Sequence, residues 1–194
     1  MRRAEVKRKT TETDIYVDLN IDGKGVYDIQ TGVGFFDHML CLFAKHGLFD
    51  LKLIAKGDLE VDTHHTVEDV GIVLGTAFLK ASGDKKSIRR FSTFYVPMDE
   101  ALVRVSLDIS GRPYLYYELP LKSERVGDFE TENVEEFFRA FAYTFGITLY
   151  VELLHGSNTH HIIEAAFKAL GRALDEALQL DERIDGIPST KGIL

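Results

Sequence analysis

A His-His-x-x-Glu motif occurs twice in this chain of 194 residues, once within residues 63–81 and once within residues 159–177. The flanks repeat as well, because the two segments, aligned 96 positions apart, carry the same amino acid at eight of nineteen positions. Such a match indicates an internal duplication, and duplicated sequences are expected to fold alike. We therefore predict one compact unit with a first half, residues 1–88, and a second half, residues 89–194, which ends in a C-terminal tail.

The spacing of apolar residues predicts a mixed α/β (α+β) fold of two ββαββα halves, each with a sheet packed on helices. Alternating apolar and polar residues indicate a half-buried strand, and apolar residues three or four positions apart indicate a helix. The first half has predicted strands at 4–22, 26–30, 48–56 and 59–61, a helix that ends at Gly47 and a helix from residue 64 onward. The second half has predicted strands at 89–96, 101–110, 114–119 and 147–153, a loop at 123–131, and helices at 133–142 and 160–178.

Composition limits the classes of function. With 45% hydrophobic residues, the chain can bury a sizeable core. A formal net charge of −8 disfavours a nucleic-acid binder, which needs a basic face. The single cysteine, Cys41, excludes an internal disulfide, so a cytoplasmic location is expected. No apolar run reaches the roughly 18 residues of a membrane span, and the N-terminus has no export signal, so no membrane association is predicted.

The repeated motif has the residue types of a metal site. Residues four apart share one face of a helix, whereas adjacent residues differ by about 100°. His64 and Glu68 are therefore expected to bind one ion, and His160 and Glu164 a second. The second histidine of each motif points sideways, toward a different ion. Imidazole and carboxylate together suit manganese, iron, cobalt, nickel or zinc.

Other histidines have weaker signals. His38 maps by the repeat onto Glu136, which is another potential ligand, so we interpret His38 as a metal ligand. A histidine that begins an apolar helix can also be an ordinary core residue. His46 lies at a predicted helix end, where it can interact with the helix dipole. His155 has no counterpart of this kind and is interpreted as a loop residue.

Basic and hydroxyl groups outside the motifs predict an anion site. Guanidinium forks, an ammonium group, hydroxyls and a backbone N–H are the groups that a phosphate monoester needs. The chain has neither a P-loop nor a dinucleotide-binding fingerprint, so a nucleotide site of those kinds is not expected. The residues that offer these groups are Arg90, Arg112, Lys168, Ser189, Thr190, Lys191 and Gly192.

Five segments together resemble imidazoleglycerol-phosphate dehydratase, an enzyme family of histidine biosynthesis. The resemblance implies a fold of the ribosomal protein S5 domain 2-like type, two Mn²⁺ ions per active site, and a large homo-oligomer. The family usually forms a 24-mer with active sites at subunit contacts. The segments that carry the resemblance are GVGFFDHML (32–40), DTHHTVEDVGI (62–72), DISGRPYL (108–115), THHIIEAAFKALGRAL (159–174) and PSTKG (188–192).

The resemblance also implies roles for individual residues. One metal would be bound by His38, His65, His160 and Glu164, and the other by His64, Glu68, His161 and the residue at Glu136. Glu12, Glu68 and Glu164 would be catalytic. The substrate would contact Glu12, His38, His46, His64, His65, Arg90, Arg112, His160, Lys168, Ser189, Thr190, Lys191 and Gly192.

The reaction that the resemblance implies is the dehydration of D-erythro-imidazole glycerol phosphate to imidazole acetol phosphate. The two metals would stabilise the substrate ring as an imidazolate, whose electrons expel a hydroxyl. Glu12 is one candidate for the general base that removes the neighbouring proton. The chain departs from the family at Glu136, where the family commonly has histidine, and the alternative interpretation of Glu136 is a solvated glutamate on an acidic helix face.

Two other functions use the same residues. A dinuclear metallohydrolase would employ a metal-bound hydroxide as its nucleophile. A metal-storage or metal-sensing protein would need the metal ligands but neither a phosphate site nor an acid/base residue. Product formation from imidazole glycerol phosphate distinguishes the dehydratase from both.

Overall fold

A computed structural model describes residues 2–194, so residue 1 of the predicted first half lies outside the described residues. The two halves contain the same order of elements, with one short hairpin added in the second. The first half forms β1 Arg3–Lys9, β2 Thr13–Asn20, β3 Tyr27–Gln30, α1 Gly34–His46, β4 Asp50–Gly57 and α2 His64–Ala81. The second half forms β5 Phe91–Met98, β6 Ala101–Asp108, β7 Tyr114–Glu118, β8 Arg125–Val126, β9 Phe129–Glu130, α3 Asn133–Phe145, β10 Thr148–His155 and α4 Thr159–Leu178.

Each half builds a four-stranded sheet from its own strands within the described residues. The strand order is β1-β2-β4-β3 in the first sheet and β5-β6-β10-β7 in the second. In both sheets the last strand is parallel to its neighbour, and the other pairs are antiparallel. The leading hairpins share one register, because Arg8 faces Ile15 in the first and Val96 faces Val103 in the second. The predicted mixed α/β fold with duplicated halves is confirmed.

The predicted strand over residues 4–22 is in fact a hairpin. Thr10 Oγ1 accepts hydrogen bonds from the backbone N–H groups of Glu12 and Thr13, at 3.1 and 2.9 Å. A threonine hydroxyl that binds the backbone two and three residues ahead stabilises a turn. The chain therefore reverses between β1 and β2, and the alternation of apolar residues continues on both sides of the turn.

The predicted strand at residues 59–61 is a turn, closed by a 2.9 Å hydrogen bond from the Val61 N–H to the Asp58 carbonyl oxygen. Leu59 and Val61 are exposed, so these apolar residues pack against no sheet. Each half is therefore βββαβα rather than ββαββα. In the second half, part of the predicted loop at 123–131 forms the β8–β9 hairpin.

Helices from different halves pack in pairs, α1 against α4 and α2 against α3. Glycine permits the close approach of both pairs. A Cβ atom at Gly171 of α4 would lie 2.5 Å from the Phe43 carbonyl oxygen of α1. A Cβ atom at Gly75 of α2 would lie 2.8 Å from the Phe141 carbonyl oxygen of α3. Each helix pair thus joins the two halves. One hydrophobic core runs through both halves, so the boundary predicted between residues 88 and 89 stays a prediction.

Phenylalanine fills much of the space between the helices and the sheets. Full burial of such a side chain contributes about 1.5–3 kcal/mol, so these residues account for a large part of the stabilisation. None of the helices within residues 2–194 is both long and apolar enough to cross a membrane. The fully buried phenylalanines of the described chain include Phe36, Phe43, Phe49, Phe78, Phe129, Phe137, Phe138, Phe141, Phe145 and Phe167.

Candidate functional site

The α1–α4 helix pair gathers three of the predicted metal ligands. His38 of α1 and His160 and Glu164 of α4 each place one ligand atom within 4.8 Å of the others. The Oε2 atom of Glu164 lies 3.2 Å from His160 Nε2 and 3.7 Å from His38 Nε2. Within residues 2–194, no other three histidine, cysteine or acidic side chains meet at these distances. Two imidazoles and a carboxylate form a donor set that suits a first-row divalent metal.

Glu164 is buried, with 6% of its surface exposed. Burial raises the pKa of Glu164. The Lys168 ammonium donates to Oε1 at 2.5 Å, and together with the two histidines it lowers this pKa by more than burial raises it. The pKa of Glu164 therefore lies below its ordinary value. The side chain is an anion at neutral pH, which is the state in which a carboxylate binds a metal.

The α2–α3 helix pair holds the corresponding residues of the first motif. His64 Nε2 lies 3.9 Å from Glu68 Oε2, and its Nδ1 lies 3.1 Å from the Asn133 side-chain oxygen at the start of α3. Glu136 follows one turn later on α3, where its carboxylate lies 3.9 Å from Arg139 Nε. His64 and Glu68 thus form a pair, and Glu136 does not complete a group of three. Its role as a ligand stays a prediction.

The second histidine of each motif contacts a carboxylate outside the motif. His65 Nδ1 lies 3.0 Å from Asp58 Oδ2, and this hydrogen bond is the main cause that raises the pKa of His65. His161 Nδ1 lies 2.7 Å from Glu100 Oε2, which likewise raises the pKa of His161. The same contact and two backbone N–H groups lower the pKa of Glu100 to about 2. Metal-binding histidines commonly donate one ring nitrogen to a carboxylate in this way.

Asp58 and Glu100 are functional candidates that the motifs do not indicate. Both lie in turns, seven and 61 positions from the histidine that they contact. The one available signal is that Asp58 directly follows Gly57 at the end of a predicted strand. Glu100 has no such signal, because its contact depends on the packing of the β5–β6 turn against the start of α4.

Each ligand set implied by the family resemblance is divided in the structure. The α1–α4 pair brings together His38, His160 and Glu164 but not His65. The α2–α3 pair brings His64 near Glu68, whereas His161 lies beside Glu100 at the start of α4. This division follows from the roughly 100° between adjacent residues on a helix. One chain therefore presents two incomplete ligand sets.

The C-terminal tail and two arginines line a cavity of about 520 Å³. Arg90 lies at its base, with its Nε and Nη2 atoms donating to Asp108 at 2.7 and 3.1 Å and its Nη1 donating to the Pro188 carbonyl oxygen at 2.7 Å. Arg112 is largely exposed at 66% of its side chain and lies 3.7 Å from Asp108. The structure thus brings five of the predicted phosphate-binding residues together. The lining residues are Arg90, Arg112, Pro188, Ser189, Thr190 and Lys191.

Lys168 and His46 are predicted substrate-binding residues that lie outside the tail cavity, and Gly192 is not among the residues that line it either. Lys168 does not line the tail cavity, because its ammonium binds Glu164 and lies 3.5 Å from the Met98 sulfur. His46 ends α1, where burial and the nearby positive charges of Lys168 and Arg172 lower its pKa. These positions put Lys168 and His46 beside the α1–α4 ligands instead of the tail. Their contact with substrate stays a prediction.

Glu12, the candidate general base, lies in the exposed turn between β1 and β2. Its backbone N–H is held by Thr10, and its carboxylate is exposed. The negative charge of Glu12 acts on His65 and contributes to the raised pKa of that imidazole, after the hydrogen bond to Asp58. Glu12 therefore lies on the same side of the first half as the first motif.

The comparisons with known proteins agree on one family. Residues 31–174 match the family model described as imidazoleglycerol-phosphate dehydratase. The protein of that name from Caldanaerobacter subterraneus subsp. tengcongensis is 90% identical over the full length of both chains. Its counterpart from Acetivibrio thermocellus is 67% identical over 100% of this chain and 99% of its own.

Solved structures give the same result. A crystal structure of imidazoleglycerol-phosphate dehydratase from Staphylococcus aureus subsp. aureus N315 is similar with a TM-score of 0.84 and 45% identity, over 92% of this chain and 99% of its own. The structure from Pyrococcus furiosus in complex with (S)-C348 has a TM-score of 0.84 and 38% identity, over 97% and 100%. The chain therefore belongs to the imidazoleglycerol-phosphate dehydratase family, whose members are hydro-lyases of histidine biosynthesis.

Proposed function

We propose that the chain dehydrates D-erythro-imidazole glycerol phosphate to imidazole acetol phosphate, with the substrate ring held as an imidazolate at a dinuclear manganese site. The observation that carries this proposal is the meeting of His38, His160 and Glu164 across the α1–α4 pair, within 4.8 Å. Two imidazoles from different helices converge on one buried carboxylate, which is the arrangement of a metal ligand set. Membership of the dehydratase family supports the same substrate.

The donor set fits manganese. His38, His160 and Glu164 offer two nitrogens and one oxygen, and His64 and Glu68 offer a nitrogen and an oxygen 3.9 Å apart. No thiolate is near, which disfavours the softer metals. When bound, manganese would act as a Lewis acid toward the imidazole ring and favour loss of the adjacent hydroxyl.

The remaining residues orient these ligands and the substrate. Asp58 and Glu100 hold Nδ1 of His65 and His161, so Nε2 is the ring atom left to act as a ligand. Glu12 would accept the proton from the carbon beside the one that loses the hydroxyl. A carboxylate is a weak base, so proton transfer to it is efficient only when its position relative to the substrate is fixed.

The tail cavity supports recognition of the substrate phosphate. Three positive charges line the cavity, those of Arg90, Arg112 and Lys191. Asp108 accepts a hydrogen bond from Arg90 and neutralises one of these charges. The hydroxyls of Ser189 and Thr190 add hydrogen-bond donors. A phosphate monoester carries close to two negative charges at neutral pH, so the basic lining of the cavity is complementary to it.

We also propose that several copies of the chain associate, up to the 24-mer typical of the family, and that a second copy completes each ligand set. The divided sets support this, since His65 and His161 each point away from the ligands that they would join. The outer face of the second sheet supports it too, because its aromatic side chains are exposed. These residues are Phe91, Tyr95, Tyr114, Tyr116 and Tyr150.

A direct assay tests the proposed function. The purified chain, freed of metal and then supplied with Mn²⁺, would be given imidazole glycerol phosphate, and the ketone product would be measured. We expect ketone formation with Mn²⁺ and none after chelation. Release of inorganic phosphate would indicate a metallohydrolase instead, and tight metal binding without any turnover would indicate a storage or sensing protein. Full activity in protein shown by elemental analysis to lack metal would contradict the metal-dependent proposal.

A further inference from the structure

A buried polar network lies directly behind the Glu12 turn. Asp69 of α2 is only 7% exposed, and its Oδ2 atom accepts a hydrogen bond from Thr13 Oγ1 at 2.5 Å. The buried Nη1 atom of Arg8 lies 2.5 Å from the same oxygen. A buried carboxylate is costly unless it is paired, and here both partners come from strands that face the helix.

The two partners of Asp69 flank the turn that carries Glu12. Arg8 is next to last in β1, and Thr13 is the first residue of β2. Between them, Thr10 Oγ1 accepts the backbone N–H groups of Glu12 and Thr13. Asp69 therefore fixes both ends of the turn to α2, the helix that carries the first His-His-x-x-Glu motif. The Glu12 side chain itself is exposed and is positioned through its backbone.

The second half provides an internal control for the structural importance of this network. The shared hairpin register aligns Arg8 with Val96, Thr13 with Ala101 and Glu12 with Glu100.

The repeat of the motif likewise aligns Asp69 with Ala165, which is fully buried. The same arrangement of hairpin and helix thus packs with Val96, Ala101 and Ala165 in place of the ion pair and the hydroxyl. The fold does not require polar residues at these three positions.

The two halves also hold their turn carboxylates differently. Glu100 accepts hydrogen bonds from the backbone N–H groups of Ser157 and Asn158, at 3.2 and 2.8 Å, and contacts His161. Its side chain is fixed directly by the start of α4. Glu12 has no such direct support within residues 2–194, so its position depends on the turn. The Asp69 network is thus present in the first half, where the turn carboxylate has no direct hydrogen bond of its own within residues 2–194.

We propose that Asp69, with Arg8 and Thr13, is a positioning residue that holds Glu12 at the correct distance from the first motif. This inference rests on the proposed function, because it assigns the network to the placement of its general base. Asp69 is neither one of the proposed metal ligands nor one of the proposed substrate contacts, and its carboxylate is paired with Thr13 and Arg8. It acts through the turn, and small displacements of a catalytic group lower the rate of the chemical step more than they weaken binding of the substrate.

The test replaces the network with the residues of the other half. The triple variant R8V/T13A/D69A copies Val96, Ala101 and Ala165, and Thr13→Val removes only the hydroxyl while keeping the shape, in case the triple variant does not fold. We expect kcat to fall about 10- to 100-fold, with KM and bound manganese unchanged. Thr76→Val is the control, because it removes another hydroxyl of α2 that binds only the Ile72 carbonyl oxygen of the same helix. Unchanged kcat in Thr13→Val would overturn the inference.

A second background separates positioning from general destabilisation. In Glu12→Gln, which lowers kcat by itself, Thr13→Val should cause no further loss, because the group that it positions is already disabled. If the kcat losses of Glu12→Gln and Thr13→Val multiplied in the double variant, the network would act on a group other than Glu12. Failure of the proposed function would look different, since the unmodified chain would then form no ketone. If Glu12→Gln retained normal kcat in a working dehydratase, the dehydratase activity would stand and this inference would fail.

Discussion

Lys168 and Lys191 show how a single neighbour changes the role of a residue. Both are predicted to bind phosphate from the sequence. Lys191 lies in the tail cavity, but Lys168 is bound to Glu164 on its own helix, four residues away. An ammonium that already neutralises a buried carboxylate is less available to an anionic substrate.

We expect Lys191→Ala and Arg112→Ala to raise KM at least about tenfold, because each removes a charge-assisted contact worth roughly 1.5–3 kcal/mol. Bound metal should not change. Lys168→Ala should instead leave a higher pKa at Glu164, since its ammonium lowers that pKa, and metal binding should then weaken at acidic pH. Steady-state kinetics and metal titrations across pH distinguish the two effects. Lys86→Ala, an exposed residue paired with Asp84, is the control.

Glu136 stands where the family resemblance leads us to expect a histidine ligand. We expect Glu136→Gln to weaken binding of one metal per site and Glu136→His to preserve both, because imidazole is a good ligand for such metals and a neutral amide is a poorer one. Elemental analysis of the purified variants measures this. Glu135→Gln on the same helix is the control. Two metals and normal turnover in Glu136→Gln would show that this side chain is not a ligand.

Asp50 is expected to contribute to the loss of stability in acid. Its carboxylate accepts backbone N–H groups of Lys24 and Val26, at 2.8 and 3.1 Å, which lower its pKa, the bond from Lys24 most. Because the folded-state pKa is depressed, the stabilisation is present above the unfolded value of about 3.9 and is lost as pH falls through the folded value. Asp50→Asn should therefore be less stable near pH 7 by about 1–2 kcal/mol and approach the unmodified chain below about pH 4. Urea unfolding across pH measures the difference, and a constant difference would contradict the assignment.

At the scale of elements, the helix pairs α1–α4 and α2–α3 determine where the ligands meet. Each pair contains one helix from each half, and glycine allows the backbones to approach closely. His38 and Glu164 reach each other across one such contact, so the metal site depends on the packing of the helices as much as on their sequences.

We expect Gly75→Ala to lower the free energy of unfolding by about 1–3 kcal/mol, because its Cβ would lie 2.8 Å from the Phe141 carbonyl oxygen and the backbone has to move. Gly34→Ala in α1 is the matched control. A Cβ there meets nothing within 4 Å, so that variant should be neutral or slightly stabilised. Denaturant unfolding compares them, and equal stability of both variants would contradict the close approach of α2 and α3.

At the scale of the whole molecule, the two sheets present different outer faces. The second sheet exposes a group of aromatic residues that includes Tyr116 and Tyr150, whose rings stack with centroids 5.3 Å apart. The first sheet instead exposes charged residues such as Arg3 and Lys7. Exposed aromatic surface is typical of protein interfaces.

We expect Tyr150→Lys to reduce the assembly, because a charge in the aromatic face opposes burial there. Activity should fall together with assembly, since each ligand set would lack its partner histidine. Light scattering measures the size and the ketone assay measures the activity. Tyr16→Lys on the first sheet is the control, and a monomeric variant with full activity would show that one chain completes its own site.

The sequence by itself determined the chemistry that is available. The spacing of His160 and Glu164 places them on one helical face, because an α-helix brings residues four apart together whatever surrounds it. The periodicity of apolar residues likewise gave the helices and most strands, since that pattern reflects burial of one face. The turn at residues 10–12 was missed because the polar stretch at residues 7–14 contains neither glycine nor proline, the residues that usually mark a turn.

The tertiary structure decided which of these groups meet. The approach of His38 to Glu164 and the contacts of His65 with Asp58 and His161 with Glu100 depend on how separate elements pack. Local spacing carries no information about such contacts, because they arise from burial of apolar faces against each other. Helix packing likewise places the Lys168 ammonium beside Glu164 and not in the tail cavity.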